Sequence, residues 1–185
     1  METDAFKIEE KHDLERGYVH VYTGDGKGKT TAAIGLALRA AGAGFRVFIG
    51  QFIKSQRYSE IVALECFGEQ ITCHQYGRGC WLQQEPEPED VHLARQGLEE
   101  ARKALLSGNY QLVILDEANI AVWFKLFEVS ELLGLIDIKP ASVELVLTGR
   151  RADERLIERA DLVTEMREVK HYYKKGVLAR KGIES

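Results

Sequence analysis

The sequence is poor in cysteine, proline and tryptophan, and it contains no long apolar run. Its three cysteines, an odd set among 185 residues, predict a protein of a reducing compartment, which is the cytoplasm. No apolar run approaches the roughly 20 residues that a membrane-spanning helix needs. The start at Met1 lacks the apolar core of a signal peptide. These absences predict a cytoplasmic protein that has no membrane partner.

An excess of basic residues is missing as well. Lys and Arg number 25 and Asp and Glu number 29, so the formal net charge at pH 7 is −4. Dedicated nucleic-acid-binding domains usually carry a basic excess on one face, so this balance argues against a nucleic-acid partner. The length suits a single domain, which we expect at residues 18–185. Residues 1–17 are mostly polar and charged, which predicts a flexible N-terminal arm.

Short apolar runs alternate with helical patterns along the rest of the chain. Strands are expected in the segments 18–22, 46–53, 71–76, 112–115 and 143–147. Several of these runs are apolar throughout, which is typical of strands that are buried on both faces. Such strands, alternating with helices, predict an α/β fold with a mostly parallel central sheet and helices on both faces. Ligands of these folds bind beyond the carboxyl ends of the strands.

A glycine-rich loop separates the first predicted strand from an alanine-rich helical pattern. Residues 23–31 read TGDGKGKTT, which we call the phosphate loop. Its glycines let backbone N–H groups point at phosphate oxygens, while Lys29 reaches the terminal phosphates and Thr30 ligates Mg²⁺ or Mn²⁺. The usual pattern has glycine where this chain has Thr23, and Lys27 is an additional lysine. A plain surface turn is the alternative, which the flanking strand and helix disfavour.

Two carboxylates follow the fourth apolar run. Asp116 and Glu117 are expected at the carboxyl end of a central strand, where a P-loop protein holds its metal ion directly or through water. The alternative is that Asp116 only caps a helix that begins at Ala118. Glu117 would orient a water molecule in an ATPase, whereas another transferase would need it only near the metal.

Arg150 follows the fifth apolar run, after Thr148 and Gly149. Its guanidinium suits bidentate contact with a polyphosphate at the predicted cleft. An arginine exposed on the surface needs no ligand, so both interpretations stay open. The same choice applies to Trp81, which lies in an irregular segment rich in glycine and proline. That side chain either closes the end of the core or contacts a ligand.

Cysteine and histidine residues offer a further candidate metal site. These residues are Cys73, His74, Cys80 and His171. Structural zinc sites normally use tighter paired spacing, which favours buried thiols and a surface histidine over a metal centre.

Several motifs, in order, resemble the ATP:corrinoid adenosyltransferase family. They occupy residues 23–31, 51–54, 115–117, 148–150 and 160–171, and residues 182–184 fit as well. The resemblance covers about residues 17–184, and the family's loop has the same late glycine and extra lysine. It implies a P-loop NTPase-like fold in a single domain.

The resemblance implies a transferase that moves the 5′-deoxyadenosyl group of ATP to the Co(I) of a corrinoid and releases triphosphate, in adenosylcobalamin biosynthesis or salvage. Family members bind ATP with its phosphates reversed in the loop, which frees the ribose C5′ for attack. A homodimer and an electron-donor protein such as a flavoprotein are implied as partners. A P-loop ATPase or small-molecule kinase is the enzymatic alternative, and a nucleotide-sensing module is the non-enzymatic one.

Co(I) is itself a strong nucleophile, so the protein must position C5′ and stabilise triphosphate rather than supply a base. The resemblance implies these catalytic residues: Lys29, Thr30, Lys27 and Trp81. It implies these nucleotide-binding residues, of which Asp25 contacts the ribose: Gly24, Asp25, Gly26, Lys27, Gly28, Lys29, Thr30, Thr31 and Arg150. The implied metal ligands are Thr30, Asp116 and Glu117.

One segment departs from the family pattern. Better-known members carry Gly-Phe-Thr-Trp where this chain has Gly79, Cys80 and Trp81, which is one residue shorter and lacks the phenylalanine. Apolar side chains there displace the lower axial ligand of cobalt, which shifts its reduction potential. The resemblance therefore makes Trp81 the candidate residue that faces the cobalt.

Overall fold

The chain forms six strands and six α-helices within residues 14–79 and 85–184, which the computed structural model describes. The strands are β1 (Val19–Thr23), β2 (Val47–Phe52), β3 (Ile71–Tyr76), β4 (Leu112–Asp116), β5 (Glu144–Thr148) and β6 (Leu162–Glu165). The helices are α1 (Lys29–Gly42), α2 (Ser59–Glu65), α3 (Pro88–Leu106), α4 (Ala118–Trp123), α5 (Val129–Ile138) and α6 (Glu154–Arg159). Short 3-10 turns lie at Gly68–Gln70 and Tyr172–Lys175.

The six strands form one parallel sheet in the order β3-β2-β4-β5-β1-β6. Strands β2 and β4 are buried at every position, which explains why their sequences are almost continuously apolar. The predicted α/β fold with a parallel central sheet is confirmed. Strand β6 was not predicted as a strand, because its four residues are all exposed and give no buried pattern.

Helices cover both faces of the sheet, as predicted. Successive side chains of a strand point to opposite faces, so Val113 and Ile114 of β4 belong to different core clusters. Val113 packs in the cluster that contains Leu132 of α5 and buried residues of α3, α4 and α6. Ile114 packs in the cluster of Ala37 of α1 and Leu64 of α2. Burial of each such leucine or isoleucine contributes about 1.5–3 kcal/mol relative to exposure.

Helix α3 lies unusually close to β2 and β3. A Cβ atom added at Gly97 would lie 2.6 Å from the Tyr76 ring and 2.8 Å from the Phe52 ring. Only glycine therefore allows this approach. The start of α3 is fixed by a capping box, in which the Glu87 and Asp90 side chains accept hydrogen bonds from each other's backbone N–H groups.

The described chain joins the sheet at Gly17. The backbone N–H of Gly17 donates to the carbonyl of Ala141 at 2.6 Å, and Lys139 Nζ donates to the carbonyl of Gly17 at 2.9 Å. Most of the predicted N-terminal arm (residues 1–13) lies outside the described residues. Cys80 and Trp81 lie outside them too.

None of the helices within residues 14–79 and 85–184 is both long enough and apolar enough to cross a membrane.

Candidate functional site

The phosphate loop and the acidic pair meet at the carboxyl edge of the sheet. The loop leaves β1 and enters α1, and Asp116 ends β4. The sequence-predicted positions in the loop and at Asp116 therefore belong to one site, as parallel strands require.

The backbone of the phosphate loop packs against the chain that follows β6. Gly26 N donates to Met166 O at 2.6 Å, and Met166 N donates to Thr23 O at 2.8 Å. A Cβ atom added at Gly24 would lie 2.5 Å from Met166 O, and Gly24 and Gly28 have φ angles of 94° and 120°. These glycines are required both by the close approach and by the left-handed backbone.

Lys29 is folded back onto the loop and is almost fully buried. Its Nζ donates to the carbonyl oxygens of Gly24 at 2.6 Å and Gly26 at 2.8 Å. Burial lowers the pKa of Lys29 from its ordinary value, and the negative charge of Glu117 opposes that shift. The lysine thus supplies positive charge inside the loop. The neighbouring positions Asp25 and Thr31 are exposed to solvent.

Asp116 is the centre of a buried hydrogen-bond network. Its Oδ1 accepts from Thr30 Oγ1 at 2.9 Å and from Thr148 Oγ1 at 2.6 Å. Its Oδ2 accepts from Gln51 Nε2 at 3.0 Å and from Lys54 Nζ at 2.8 Å. Burial alone would raise the pKa of Asp116, but the Lys54 charge and these hydrogen bonds outweigh burial and lower it. The carboxylate is therefore ionised.

Lys54 is held in the cation form by the same contact. Burial would lower the pKa of Lys54, but the charge of Asp116 and the hydrogen bond to it raise the pKa overall. Lys54 Nζ also lies 3.4 Å from Thr30 Oγ1. One ammonium therefore contacts both the hydroxyl and the carboxylate at this site.

Glu117 lies beside this network in a left-handed conformation, with a φ of 59°. Its backbone N–H donates to Thr148 Oγ1 at 3.0 Å. Burial, followed by the charge of neighbouring Asp116, raises the pKa of Glu117 above its ordinary value. Glu117 occupies the N-cap position of α4. Asp116 is bonded elsewhere, so helix capping does not account for its carboxylate.

Lys27, the additional lysine of the loop, is bound by the C-terminal segment. Its Nζ donates to Ile183 O at 2.8 Å, to Glu184 Oε1 at 3.0 Å and to Tyr172 Oη at 3.3 Å. Hydrogen bonding to Glu184 raises the pKa of Lys27. Arg180 and Tyr172 donate to Glu184 in turn and hold its pKa well below the usual range. We call Tyr172, Arg180, Ile183 and Glu184 the C-terminal clamp.

Arg150 is exposed in the turn that follows β5, at the same edge of the sheet. Its positive charge adds to the effect of burial in lowering the pKa of Lys29, and it opposes the rise in the pKa of Glu117. The turn that carries it depends on Gly149, which has a φ of 125°. Asn119 Nδ2 donates to the carbonyl of Gly149 at 3.1 Å and fixes this turn.

The donor set at Asp116 suits a hard divalent cation. A carboxylate and the Thr30 hydroxyl are oxygen ligands, which Mg²⁺ prefers. Within the described residues no group of three or more His, Cys, Asp or Glu side chains could hold a metal ion. Mg²⁺ commonly completes its shell with nucleotide phosphates and water, so one carboxylate and one hydroxyl fit this ion.

Sequence reasoning assigned no role to several residues of the network. Gln51, Lys54 and Thr148 lay in motifs that carried the family resemblance, but their contacts to Asp116 were not predicted. Gln51 had a signal, since a glutamine inside an apolar strand is expected to have a buried polar partner. The contact between Lys27 and Glu184 spans most of the chain length, and local patterns carry no signal for it.

The chain is similar to known proteins along almost its whole length. The family model described as "ATP:corrinoid adenosyltransferase BtuR/CobO/CobP" matches residues 15–185. A protein of Pseudomonas aeruginosa named "Corrinoid adenosyltransferase" is 38% identical over 179 residues, which is 96% of this chain and 88% of the relative.

Two further relatives carry the same name. The protein of Sinorhizobium sp is 36% identical over 174 residues, covering 92% of this chain and 81% of its own. The protein of Escherichia coli strain K12 is 36% identical over 171 residues, covering 92% of this chain and 86% of its own. The chain belongs to the ATP:corrinoid adenosyltransferase family.

Proposed function

We propose that this protein transfers the 5′-deoxyadenosyl group of ATP to the Co(I) of a corrinoid and releases triphosphate, in adenosylcobalamin biosynthesis or salvage. The observation that carries the proposal is the hydrogen bond from Thr30 to the buried Asp116, which joins the acidic end of β4 to the phosphate loop that holds Lys29. Family membership and the names of the relatives support the choice of substrates.

The phosphate loop binds the triphosphate in this proposal. Lys29, already buried, offsets the negative charge that grows on the leaving triphosphate without waiting for solvent to reorganise. The exposed Arg150, whose charge acts on Lys29, adds a second positive charge. The other nucleotide-binding residues remain those proposed from the sequence: Gly24, Asp25, Gly26, Lys27, Gly28, Thr30 and Thr31.

The bonds that change are few. The Co(I) electron pair attacks C5′ of the ribose and becomes the new carbon–cobalt bond, so cobalt is formally oxidised to Co(III). The bond between C5′ and the phosphate oxygen breaks, and triphosphate leaves with the electron pair of that broken bond. Since no proton must be removed from the nucleophile, the protein acts by positioning and by charge. This agrees with a site that is rich in cations and has no catalytic histidine among its described contacts.

Thr30 and Asp116 would hold Mg²⁺, with Glu117 beside them. When bound, Mg²⁺ offsets charge on the triphosphate. The buried carboxylate of Asp116, which already accepts a hydrogen bond from Thr30, would supply negative charge that attracts the cation.

Trp81 is proposed to face the cobalt and to ease reduction of Co(II). Replacing it should impair the reaction that begins from Co(II) more than the reaction with prereduced Co(I). The assay compares Trp81→Ala with the wild type from both starting states. Equal losses would exclude a redox role for this side chain.

Assembly and cellular context are proposed from the resemblance. They comprise a homodimer, an electron-donor protein such as a flavoprotein, and a cytoplasmic location. Residues 1–17 are proposed to be an arm outside the catalytic domain, which spans residues 18–185. Sedimentation equilibrium of the full chain tests the dimer, and a monomer at micromolar concentration would contradict it.

The decisive experiment is anaerobic incubation with ATP, Mg²⁺ and a Co(I) corrinoid. We expect a light-sensitive carbon–cobalt bond, followed optically, and one triphosphate for each bond formed. Formation of ADP and orthophosphate without a change in the corrinoid would favour the alternative, a P-loop ATPase, and phosphorylation of an added acceptor would favour a kinase.

A further inference from the structure

Lys54 occupies the place between the two side chains that are proposed as metal ligands. Its Nζ lies 2.8 Å from Asp116 Oδ2 and 3.4 Å from Thr30 Oγ1. The Lys54 side chain is 20% exposed, whereas that of Asp116 is 2% exposed. A buried carboxylate without a cation is costly, so the ammonium stabilises Asp116 as the protein stands.

The backbone just before Lys54 is strained. Ile53 has a φ of 66°, which is a rare conformation for a β-branched residue. Two neighbours enforce it. Ile53 N donates to Tyr76 O at 3.0 Å, and a Cβ atom added at Gly77 would lie 2.2 Å from the Ile53 carbonyl carbon. Strain of this kind persists only where the surrounding structure fixes it, and it clusters at functional sites. Here the strained turn ends β2 and is followed at once by Lys54.

The carboxylate of Asp116 has no acceptor position left. A carboxylate offers about four lone-pair sites, and Thr30, Thr148, Gln51 and Lys54 donate to them. A metal ion that binds Asp116 must therefore displace at least one of these donors.

Of the donors, Lys54 is the one that is free to leave. Thr148 is fully buried and also accepts a hydrogen bond from Glu117 N. Gln51 is fully buried and is held by Gln75 at 3.0 Å. Thr30 is itself a proposed ligand of the metal. Lys54 has a long flexible side chain that is partly exposed to solvent.

We propose that Lys54 is a resident cation of the metal site, which the divalent metal displaces when the nucleotide binds and which then contacts the polyphosphate. The proposal rests on the proposed nucleotide site and adds a phosphate-binding residue to it. The strained turn at Ile53 places the Lys54 ammonium beside Asp116. There the ammonium keeps the ligands Thr30 and Asp116 in place until the metal binds. A permanent structural ion pair is the competing account.

The test measures Mn²⁺ binding to the nucleotide-free protein by electron paramagnetic resonance. If the ammonium competes with the metal, the neutral variant Lys54→Met should bind Mn²⁺ about tenfold or more tightly than the wild type. Lys54→Arg keeps the positive charge and should bind Mn²⁺ as weakly as the wild type. Lys103→Met is the matched control, because Lys103 lies exposed on α3 and its loss changes net charge equally.

If Lys54→Met does not fold, a second neutral variant provides the same test. Lys54→Gln retains a donor for Asp116 without the charge, and the same increase in Mn²⁺ affinity is expected. Unchanged or weaker Mn²⁺ binding in a folded neutral variant would overturn the proposal.

Nucleotide binding separates failure of this inference from failure of the proposed function. Wild-type protein that binds no ATP would refute the nucleotide site itself. Wild-type binding of ATP with Mg²⁺, combined with no gain of Mn²⁺ affinity in the neutral variants, would refute only the role of Lys54.

Discussion

The two lysines of the phosphate loop lie in opposite surroundings. Lys29 is buried against loop carbonyls and its pKa is lowered, whereas Lys27 is exposed, bound to Glu184, and its pKa is raised. Only a difference in environment separates them, because the residues are identical and two positions apart. Their substitutions should therefore have different effects.

Replacing Lys29 should remove the charge that lies closest to the triphosphate. We expect Lys29→Met to lower adenosyl transfer at least about 100-fold, which is typical when a preorganised charge or donor is lost. Initial rates with a prereduced corrinoid measure this loss, and circular dichroism confirms that the variant is folded. A loss below about threefold would show that the loop does not bind the leaving group.

Replacing Glu184 should release Lys27 toward the nucleotide. Glu184→Gln removes the negative charge that neutralises Lys27, so ATP should bind about threefold more tightly at low salt, and the gain should fall as salt is added. Thermal unfolding should change little, because Lys27 is 41% exposed and an ion pair with a solvent-exposed partner contributes little to stability. Weaker ATP binding would mean instead that the C-terminal clamp has to hold Lys27 in place.

The same contact predicts how ATP affinity depends on pH. The depressed pKa of Glu184 means that its charge is lost only as pH falls through that low value. The raised pKa of Lys27 means that its charge is lost only as pH rises through that high value. Between these limits the pair is ionised, so the ratio of ATP affinities of Glu184→Gln and wild type should be constant from pH 5 to 9, as measured by equilibrium titration.

At the scale of the element, replacing glycine by alanine should have opposite effects on stability in helices α3 and α1. A Cβ at Gly97 of α3 would overlap the Tyr76 and Phe52 rings, whereas a Cβ at Gly35 of α1 would meet nothing within 4 Å. We expect Gly97→Ala to lower the free energy of unfolding by about 2 kcal/mol or more. Gly35→Ala should raise it by about 0.5–1 kcal/mol, because alanine favours a helix. Urea unfolding of both variants tests the pair, and equal shifts would contradict the packing of α3.

The central strands were predictable because buried strands consist almost entirely of apolar residues. Buried parallel strands must be apolar on both faces, so β2 and β4 stand out in the sequence. Strand β6 could not be predicted in the same way, since it is an exposed edge strand that is defined by its pairing with β1. Pairing between distant segments has no local pattern.

The candidate site likewise contains residues that local sequence patterns predict and residues that they do not. The loop and Asp116 were predictable, because strand, turn and helix follow one another around them. The positions of Lys54 and of the C-terminal clamp were not predictable from spacing, because they depend on a left-handed Ile53 and on chain folding across the molecule.

At the scale of the whole molecule, β6 supports the phosphate loop through Met166. A chain that ends after Asp161 lacks β6 and this support, so it should lose cooperative unfolding and associate through the uncovered edge of β1. A chain that ends after Gly176 keeps β6 and loses most of the C-terminal clamp. It should remain folded, with altered ATP affinity only. Thermal melts followed by circular dichroism, with size-exclusion chromatography, distinguish the two chains, and equal melts would contradict the support by β6.

The sheet order also has a consequence for synthesis of the protein. Strand β1 lies between β5 and β6, so the earliest strand to leave the ribosome pairs only with the last two. At about 5–20 residues per second, translation leaves this apolar segment without its neighbours for on the order of ten seconds. The nucleotide site is therefore completed only near the end of translation.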